Sequence, residues 1–144
     1  MRILFLGDVV GVSGCSKLMN SLLTEIKLKK IDFVIVNGEN AASQGVGLTK
    51  EICQDFFNCG VDVITTGNHV WDQKEIMEFI EKEERLLRPK NFFEPAPGKG
   101  FKIYTTKTNI KIGVLNLMGN VFMKKCEDVF DISEKFMKEY KLKK

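Results

Sequence analysis

The chain has 144 residues, of which 44% are hydrophobic and 28% are charged, a composition typical of a globular domain rather than a disordered segment. Its formal net charge of +3 is too small to indicate a nucleic-acid partner. The first apolar run is far too short for a signal peptide or a membrane span, so we expect a cytoplasmic protein with no membrane partner.

The first predicted strand is the continuous apolar run Ile3–Leu6, which Gly7 and Asp8 close. Such a run is typical of a strand that is buried on both faces. A glycine-rich loop follows at residues 9–14, and apolar residues then recur at helical spacing up to about Leu28. The sequence therefore predicts a strand, a loop and an amphipathic helix.

The second unit repeats this order. Residues 33–36 form the next predicted strand, and Asn37-Gly38-Glu39-Asn40 ends it. After a loop of small residues, Thr49 is a good N-cap for a helix that ends at Gly60. The apolar face of this helix is expected to contain Ile52, Cys53, Phe56 and Phe57.

The third unit begins with a strand at residues 61–66, which leads into the corner Gly67-Asn68-His69. This corner holds the only histidine, and the only tryptophan follows at Trp71. Asp72 and Glu75 have the spacing of a capping box, which predicts a third helix from Asp72 onwards. Its buried residues are expected to be Ile76, Met77, Phe79 and Ile80.

Polar residues follow all three predicted strands. Asp8 follows the first, Glu39 and Asn40 the second, and Asn68 and His69 the third. Three successive strand–helix units predict a parallel sheet with right-handed crossovers, in which all strands end at the same edge. Because ligands of open α/β sheets bind at that edge, we expect these five residues to converge.

The chemistry of this set favours a metal site. Crowded carboxylates repel one another unless a cation lies between them, and oxygen-rich sets suit Mg²⁺, Mn²⁺ or iron better than zinc. Glu39 would bridge two ions, and His69 would protonate or polarise a leaving oxygen. Taken singly, each residue also fits a turn or a cap, but their placement after three successive strands favours a site.

The rest of the chain departs from the strand–helix order. All three prolines lie in residues 88–100, a stretch that resists regular structure. Residues 101–105 and 110–117 then predict a hairpin around residues 107–109, and residues 118–123 predict a loop or short turn. A last helix is predicted at residues 132–142.

The four cysteines show no Cys-x-x-Cys pair and no partnering histidine cluster. Thiolate zinc sites and disulfide frameworks use such patterns, so neither is predicted. Reduced thiols of a cytosolic protein fit better. The residues concerned are Cys15, Cys53, Cys59 and Cys126.

Six ordered motifs between residue 1 and about residue 130 resemble the YmdB-like metallophosphoesterases, which belong to the calcineurin-like phosphoesterase superfamily. The resemblance implies an α/β fold in which a sandwich of two sheets is flanked by helices. It also implies a dinuclear metal centre that hydrolyses phosphodiesters, with 2′,3′-cyclic nucleotides as the substrate class. The motifs are Gly7-Asp8-Val9-Val10-Gly11, Asn37-Gly38-Glu39-Asn40-Ala41-Ala42, Gly45-Val46-Gly47, Thr66-Gly67-Asn68-His69-Val70-Trp71-Asp72, Arg88-Pro89-Lys90-Asn91 and Asn116-Leu117-Met118-Gly119.

The resemblance also implies a role for each residue of the predicted edge. Asp8 is similar to a ligand of the first metal, with Asn40 as a ligand of the same ion or its neighbour. Glu39 is similar to the bridging ligand and Asn68 to a ligand of the second metal. His69 is similar to the catalytic acid beside the leaving group. Iron or manganese is favoured for the two ions, with magnesium as the alternative.

The sequence differs from the broader superfamily at two places and from the narrower family at one. Val10 stands where the broader superfamily usually has histidine, and Glu39-Asn40 replaces its usual Gly-Asp; both fit the narrower family. The second half of family members supplies three further histidine ligands that are absent here. We therefore expect residues 1–144 to form one incomplete domain, with a parallel βαβαβα unit, a hairpin and a C-terminal helix. Its open apolar face and edge would need a homo-oligomer or a partner chain to cover them.

Two other functions remain as alternatives. Without the further histidines, the chain would be a catalytically incomplete module that binds nucleotide or metal. A flavodoxin-like phosphate binder that uses Gly11 or the loop Gly45-Val46-Gly47 is less favoured, because neither loop matches a dinucleotide or P-loop fingerprint.

Overall fold

In the computed structural model, which describes residues 1–140, the first part of the chain builds a parallel sheet with the strand order β1-β2-β3-β4. The strands are β1 (Ile3–Leu6), β2 (Phe33–Asn37), β3 (Val63–Thr65) and β4 (Leu86–Leu87). The helices that connect them are α1 (Gly11–Lys29), α2 (Lys50–Asn58) and α3 (Ile76–Phe79). The predicted parallel α/β unit is therefore confirmed, and a fourth strand extends it.

The second part of the chain adds an antiparallel hairpin and one helix. Strands β5 (Phe101–Thr105) and β6 (Lys111–Leu115) pair with Phe101 opposite Leu115. The predicted hairpin is confirmed, with a second strand shorter than the predicted residues 110–117. The helix α4 (Val129–Glu139) begins earlier than predicted because the Asp128 side chain accepts hydrogen bonds from the first backbone N–H groups. The predicted end of this helix, at residue 142, lies outside the described residues.

Side chains alternate between the two faces of the parallel sheet, and each face has its own cover. Val34 and Val36 of β2 point toward α1 and α2, where they pack in a cluster with Phe56. Phe33 of the same strand faces the hairpin and packs with Val114. Because side chains alternate along a strand, the sheet has one apolar layer on each face. The layer that packs against the helices is larger than the layer that packs against the hairpin.

The face of β1 that points away from the helices is open, which corrects the prediction that this strand is buried on both faces. Ile3 is 46% exposed and Phe5 is 59% exposed, whereas Leu4 and Leu6 pack against the helical layer. The cause is the position of β1 at the edge of the sheet, since the hairpin packs on β2, β3 and β4. The expected open apolar face is therefore present along β1.

The third helix is much shorter than predicted, and the predicted capping box is wrong. Asp72 interacts with His69, and Glu75 Oε1 accepts a hydrogen bond from the backbone N–H of Lys50 at 2.8 Å. Because both carboxylates have other partners, α3 begins only at Ile76. Met77, which was expected to be buried, is 54% exposed.

Two other boundaries differ from the predictions, and one strand has no predicted counterpart. Helix α1 starts at Gly11, whose φ of 56° suits glycine, so most of the predicted glycine-rich loop is helical. Strand β3 starts only at Val63, after Asp62, whose carboxylate accepts the backbone N–H of Val34 at 2.7 Å. The two-residue strand β4 is too short to give a periodic signal.

None of the helices within residues 1–140 combines the length and the apolar character that crossing a membrane requires. All four cysteines are free thiols, and three of them are buried. Burial raises the pKa of Cys53 to about 12.

Candidate functional site

The segments that follow β1 and β2 stay side by side beyond the strands. The backbone N–H of Val9 donates to Asn37 O at 3.1 Å, and the N–H of Gly11 donates to Asn40 O at 2.8 Å. Asp8 directly precedes the first of these contacts and has a φ of 50°, a region that aspartate enters more readily than most residues. The backbone therefore brings Asp8 and Asn40 to the same edge.

Asp8 and Asn40 are in direct contact. Asn40 Nδ2 donates to Asp8 Oδ1 at 2.7 Å, and the Asp8 side chain is exposed at this edge. The hydrogen bond occupies the amide nitrogen of Asn40 and one carboxylate oxygen of Asp8. The amide oxygen of Asn40 and the second oxygen of Asp8 remain as acceptors for a ligand.

Glu39 lies against the Gly67-Asn68-His69 corner, and only glycine at position 67 makes room for it. A Cβ atom at Gly67 would lie 1.8 Å from Glu39 Oε2 and 2.6 Å from Cδ. These distances are far below any real van der Waals contact. The close approach places the carboxylate over the backbone of the corner.

Burial and several neighbouring groups shift the pKa of the Glu39 carboxyl. Burial raises the pKa of its carboxyl, and the nearby Asp8 carboxylate raises it further. The neighbouring His69 side chain and the backbone N–H groups of His69 and Asn68 lower this pKa but do not cancel the effect of burial. Neither N–H is aligned as a hydrogen bond to Oε2. Glu39 is therefore a carboxylate whose charge lacks a full partner among residues 1–140.

Two buried side-chain oxygens at this edge have no hydrogen-bond donor within residues 1–140, namely Glu39 Oε2 and Asn37 Oδ1. Sequence reasoning did not select Asn37. It is the last residue of β2 and shares the parity of Phe33 and Ile35, so its side chain lies on the face opposite the helices. The alternation of side chains along β2 was the only sequence signal that could have identified Asn37.

A cleft of about 680 Å³ opens between this edge and the hairpin. Asn37, Glu39 and Asn68 line its polar end, and the exposed side of β1 lines its apolar end. Asp8 instead lines an adjoining groove of about 540 Å³ between β1 and α1. Of the predicted residues, Glu39 and Asn68 therefore line the cleft and Asp8 lines the adjoining groove, whereas Asn40 and His69 line neither.

His69 is oriented by Asp72. The distance from His69 Nδ1 to Asp72 Oδ2 is 2.6 Å, and both side chains are about one third exposed. Because the carboxylate engages Nδ1, Nε2 is the ring nitrogen left for a ligand. Sequence reasoning gave Asp72 a capping role, whereas the structure makes it the partner of the only histidine.

Asn116 links the hairpin to the corner. Its Nδ2 donates to Thr66 O at 2.8 Å and to Leu87 O at 3.0 Å, and the residue is buried. Thr66 directly precedes Gly67, so this bond fixes the end of β3 from the opposite wall of the cleft. Asn116 lies in a motif that the sequence analysis noted without assigning a role, and a contact across 50 positions leaves no local signal.

The donor set fits a hard cation, with one restriction. Within residues 1–140, no group of three or more His, Cys, Asp or Glu side chains is arranged to hold a metal ion. Amide oxygens of asparagine must therefore complete any ion site here, as they do in oxygen-rich sites for hard cations. The two buried oxygens without donors are acceptors that a cation would satisfy.

Comparison with known proteins gives consistent matches. A family model described as YmdB-like protein matches residues 4–144. A 2′,3′-cyclic-nucleotide 2′-phosphodiesterase from Bacillus subtilis (strain 168) is 45% identical over 131 residues, which cover 90% of this chain and 48% of the relative. The chain spans about half the length of the curated relatives that it matches.

Two solved structures share the fold. A hypothetical protein from Thermus thermophilus superposes with a TM-score of 0.89 at 34% identity, covering 97% of this chain and 54% of that one. A novel phosphatase from Mycoplasma pneumoniae superposes with a TM-score of 0.87 at 29% identity, covering 96% and 51%. These matches confirm the predicted fold class.

Proposed function

The chain belongs to the YmdB-like family, and from that premise we propose that it carries metal ligands and the acid of a phosphodiesterase. The proposed reaction is hydrolysis of phosphodiesters, with 2′,3′-cyclic nucleotides as the substrate class. The name of the Bacillus subtilis relative supports this class. The proposed cofactor is a pair of metal ions, for which iron or manganese is favoured over magnesium.

One observation carries the proposal, namely the pair of buried oxygens without donors, Glu39 Oε2 and Asn37 Oδ1. A buried acceptor that lacks a donor costs about 1–3 kcal/mol, and more when it is charged. Proteins retain such a cost where a ligand removes it, and each of these acceptors has the oxygen chemistry that a hard cation binds. The raised pKa of Glu39 is a further sign of an uncompensated carboxylate.

We assign the ligands from these contacts and from the family resemblance. Asp8 and Asn40, which are joined by their hydrogen bond, would hold the first ion. Asn68 would hold the second, and the buried Asn37 Oδ1, which lines the same cleft as Asn68, would be a further oxygen ligand there. Glu39 would bridge the two. When bound, such ions neutralise the phosphate oxygens and make the attacking water more acidic.

His69 is assigned as the general acid. The attacking water releases one proton to the solvent and its oxygen forms a new bond to phosphorus. The bond from phosphorus to the leaving ribose oxygen breaks, and that oxygen needs a proton. Nε2 of a protonated His69 supplies it, and Asp72 stabilises the imidazolium through the contact at 2.6 Å. Asp72 also fixes the ring plane, so we describe it as a positioning residue.

The direct test is hydrolysis of adenosine 2′,3′-cyclic monophosphate by the manganese-loaded chain, with metal content measured in parallel. We expect turnover in the unsubstituted chain, and loss of both turnover and metal in Glu39→Gln. The matched control is Glu84→Gln, at an exposed glutamate that lines neither the cleft nor the adjoining groove. Less than one metal per chain together with no turnover, in the unsubstituted chain and in Glu39→Gln alike, would exclude catalysis by this chain.

A second candidate is a module that binds nucleotide or metal without turnover. The observation that favours it is the ligand chemistry, because the chain has one histidine and Asp72 already engages it. Tight nucleotide binding in the presence of a chelator, with no hydrolysis after metal is restored, would support this module over the enzyme.

A further inference from the structure

We propose that a small pocket beside the Asn68–His69 corner binds the base of a nucleotide whose phosphate lies at that corner. The proposal rests on the proposed phosphodiesterase function for the position of the phosphate. The pocket has a volume of about 200 Å³, and its wall includes Asn68, which also lines the main cleft. Because Asn68 borders both spaces, one ligand can occupy them together.

One wall of the pocket is aromatic and contains Trp71, Phe92 and Phe93. Trp71 and Phe92 support each other, with ring centroids 6.2 Å apart, and both pack on the main core. Phe93 is 50% exposed, so part of its ring is available to a ligand. Nucleobases stack on such rings with little dependence on sequence.

The other wall of the pocket is basic. Lys124 and Lys125 line it, and both side chains are exposed. Neither ammonium group forms an ion pair with a carboxylate in the described part of the chain, and no acidic side chain lines this pocket. An anionic ligand with a flat apolar group therefore matches the two walls.

The aromatic wall is built by the proline-rich segment, and Arg88 fixes the shape of that segment. Arg88 is buried, and its guanidinium donates to Ala96 O at 2.9 Å, to Pro97 O at 3.1 Å and to Glu94 Oε1 at 3.1 Å. These bonds hold the chain just beyond Phe93. The exposed ring is thus carried by an anchored segment, which lowers the entropic cost of binding.

Asn91 joins the aromatic wall to the basic wall. It is fully buried, its Nδ2 donates to Met118 O at 2.7 Å and to Glu127 O at 3.0 Å, and its Oδ1 accepts from the N–H of Met118 at 2.9 Å. Met118 and Glu127 flank the stretch that carries the two lysines. The separation between the walls is therefore fixed by a buried amide.

The expected ligand is a nucleotide rather than a sugar phosphate, because only the nucleotide carries a base for the aromatic wall. Base–aromatic stacking is worth enough to change affinity by about tenfold or more. Lys124 and Lys125 would add attraction that weakens as salt is raised. Asn68 would lie between the base and the phosphate.

Trp71 is the only tryptophan, so the fluorescence of this pocket is measured without a contribution from another tryptophan. With EDTA present to prevent hydrolysis, we expect adenosine 3′-monophosphate to quench Trp71 emission saturably, and ribose 5-phosphate to bind about tenfold more weakly. Phe93→Ala should weaken binding of the nucleotide about tenfold. Its matched control is Phe130→Ala, at an exposed phenylalanine that does not line the pocket.

The basic wall is tested by a double variant, Lys124→Ala with Lys125→Ala, which should weaken nucleotide binding and flatten its salt dependence. Lys107→Ala is the control, because Lys107 lies in the hairpin turn and lines a different pocket with Asp62. Equal affinity for adenosine 3′-monophosphate and ribose 5-phosphate would overturn the inference. Unchanged nucleotide affinity in Phe93→Ala would do the same.

Failure of this inference is separable from failure of the proposed function. If Phe93→Ala hydrolyses adenosine 2′,3′-cyclic monophosphate with an unchanged KM, the base pocket is wrong while the phosphodiesterase stands. If the unsubstituted chain hydrolyses nothing, but Phe93 still governs nucleotide binding, the base pocket stands while the phosphodiesterase is wrong. A rise in KM for the nucleotide, without a rise for 1-O-methylribose 2′,3′-cyclic phosphate, would support both.

Discussion

Asn40 donates a hydrogen bond to Asp8, with Nδ2 2.7 Å from Oδ1, and this bond ties the segment after β2 to the segment after β1. It joins residues 32 positions apart, one from each of the first two strand–helix units. The contact leaves one oxygen on each side chain as an acceptor. Any cation at this edge is therefore offered a pair of ligands whose spacing the fold already sets.

Substitution at Asp8 should separate metal binding from folding. Asp8→Asn keeps a residue that tolerates the φ of 50° and can still accept from Asn40, so we expect a stability change within about 0.5 kcal/mol. Metal content and turnover should both fall, because an amide oxygen replaces a charged ligand. Metal analysis, thermal unfolding and hydrolysis of bis-p-nitrophenyl phosphate with Mn²⁺ measure the three effects.

His69→Ala should lower turnover without lowering metal content, in contrast to Asp8→Asn. The imidazole is assigned to proton transfer, so its removal should lower turnover by about 10²–10⁴-fold while metal content stays close to that of the unsubstituted chain. Hydrolysis of adenosine 2′,3′-cyclic monophosphate measures this loss, because its ribose leaving oxygen needs a proton. Asp72→Asn should give a smaller loss because it removes only the partner of Nδ1. If His69→Ala lost metal and Asp8→Asn lost only turnover, the two assignments would have to be exchanged.

Gly67→Ala tests the contact between Glu39 and the corner. The new Cβ would lie 1.8 Å from Glu39 Oε2, so the carboxylate must move out of its place. The end of a side chain moves more easily than a backbone, so the fold should persist while metal content drops by about tenfold or more. Gly119→Ala is the control, because nothing lies within 4 Å of the added Cβ. Equal metal content in the two variants would show that Glu39 does not need its present position.

The meeting of the polar residues after β1, β2 and β3 followed from the order of the elements, because parallel strands with helical crossovers must end at one edge. That rule needs no knowledge of side-chain packing, and it held for Glu39 and for the Asp8–Asn40 pair. The open face of β1 did not follow from it, since exposure depends on where the hairpin packs. A continuous apolar run looks the same whether both faces are covered or only one.

Contacts between distant segments were the other part that the sequence did not reveal. Asp72 and Glu75 have ideal capping spacing, yet a histidine and the backbone of Lys50 engage them. Local patterns describe what a side chain is able to do and leave open which of several partners it meets. Asn116 shows the same limit, because its two acceptors lie 50 and 29 positions away.

Asn116→Ala should make local opening of the Gly67-Asn68-His69 corner easier, because it removes the hydrogen bond from the hairpin to Thr66 O. The change leaves Thr66 O buried without this donor, which costs about 1–3 kcal/mol in the free energy of unfolding. Leu87 O loses less, because it also accepts from the N–H and Oγ1 of Thr66. Amide hydrogen exchange at residues 66–69 should speed up more than exchange in α2, whereas Asn120→Ala, near α4, should leave the corner unchanged.

The pH dependence of stability offers a test that is independent of metal. Burial raises the pKa of Asp62, although the N–H of Val34 and the charges of Lys107 and Arg85 lower it in part. In the window above the ordinary aspartate pKa, the folded chain binds more protons than the unfolded chain. The free energy of unfolding must therefore fall as pH rises through that window.

Asp62→Asn removes this titration while keeping an oxygen that can accept from Val34. In urea unfolding with EDTA between about pH 4 and about pH 7, the stability of the unsubstituted chain relative to Asp62→Asn should fall as pH rises. Glu84→Gln provides a comparison of opposite sign, because hydrogen bonds from Lys102 and Lys99 lower the pKa of Glu84. That carboxylate stabilises the fold above its unfolded pKa, so the stability of the unsubstituted chain relative to Glu84→Gln should rise with pH. Parallel profiles for the unsubstituted chain and Asp62→Asn would contradict the burial of the Asp62 charge.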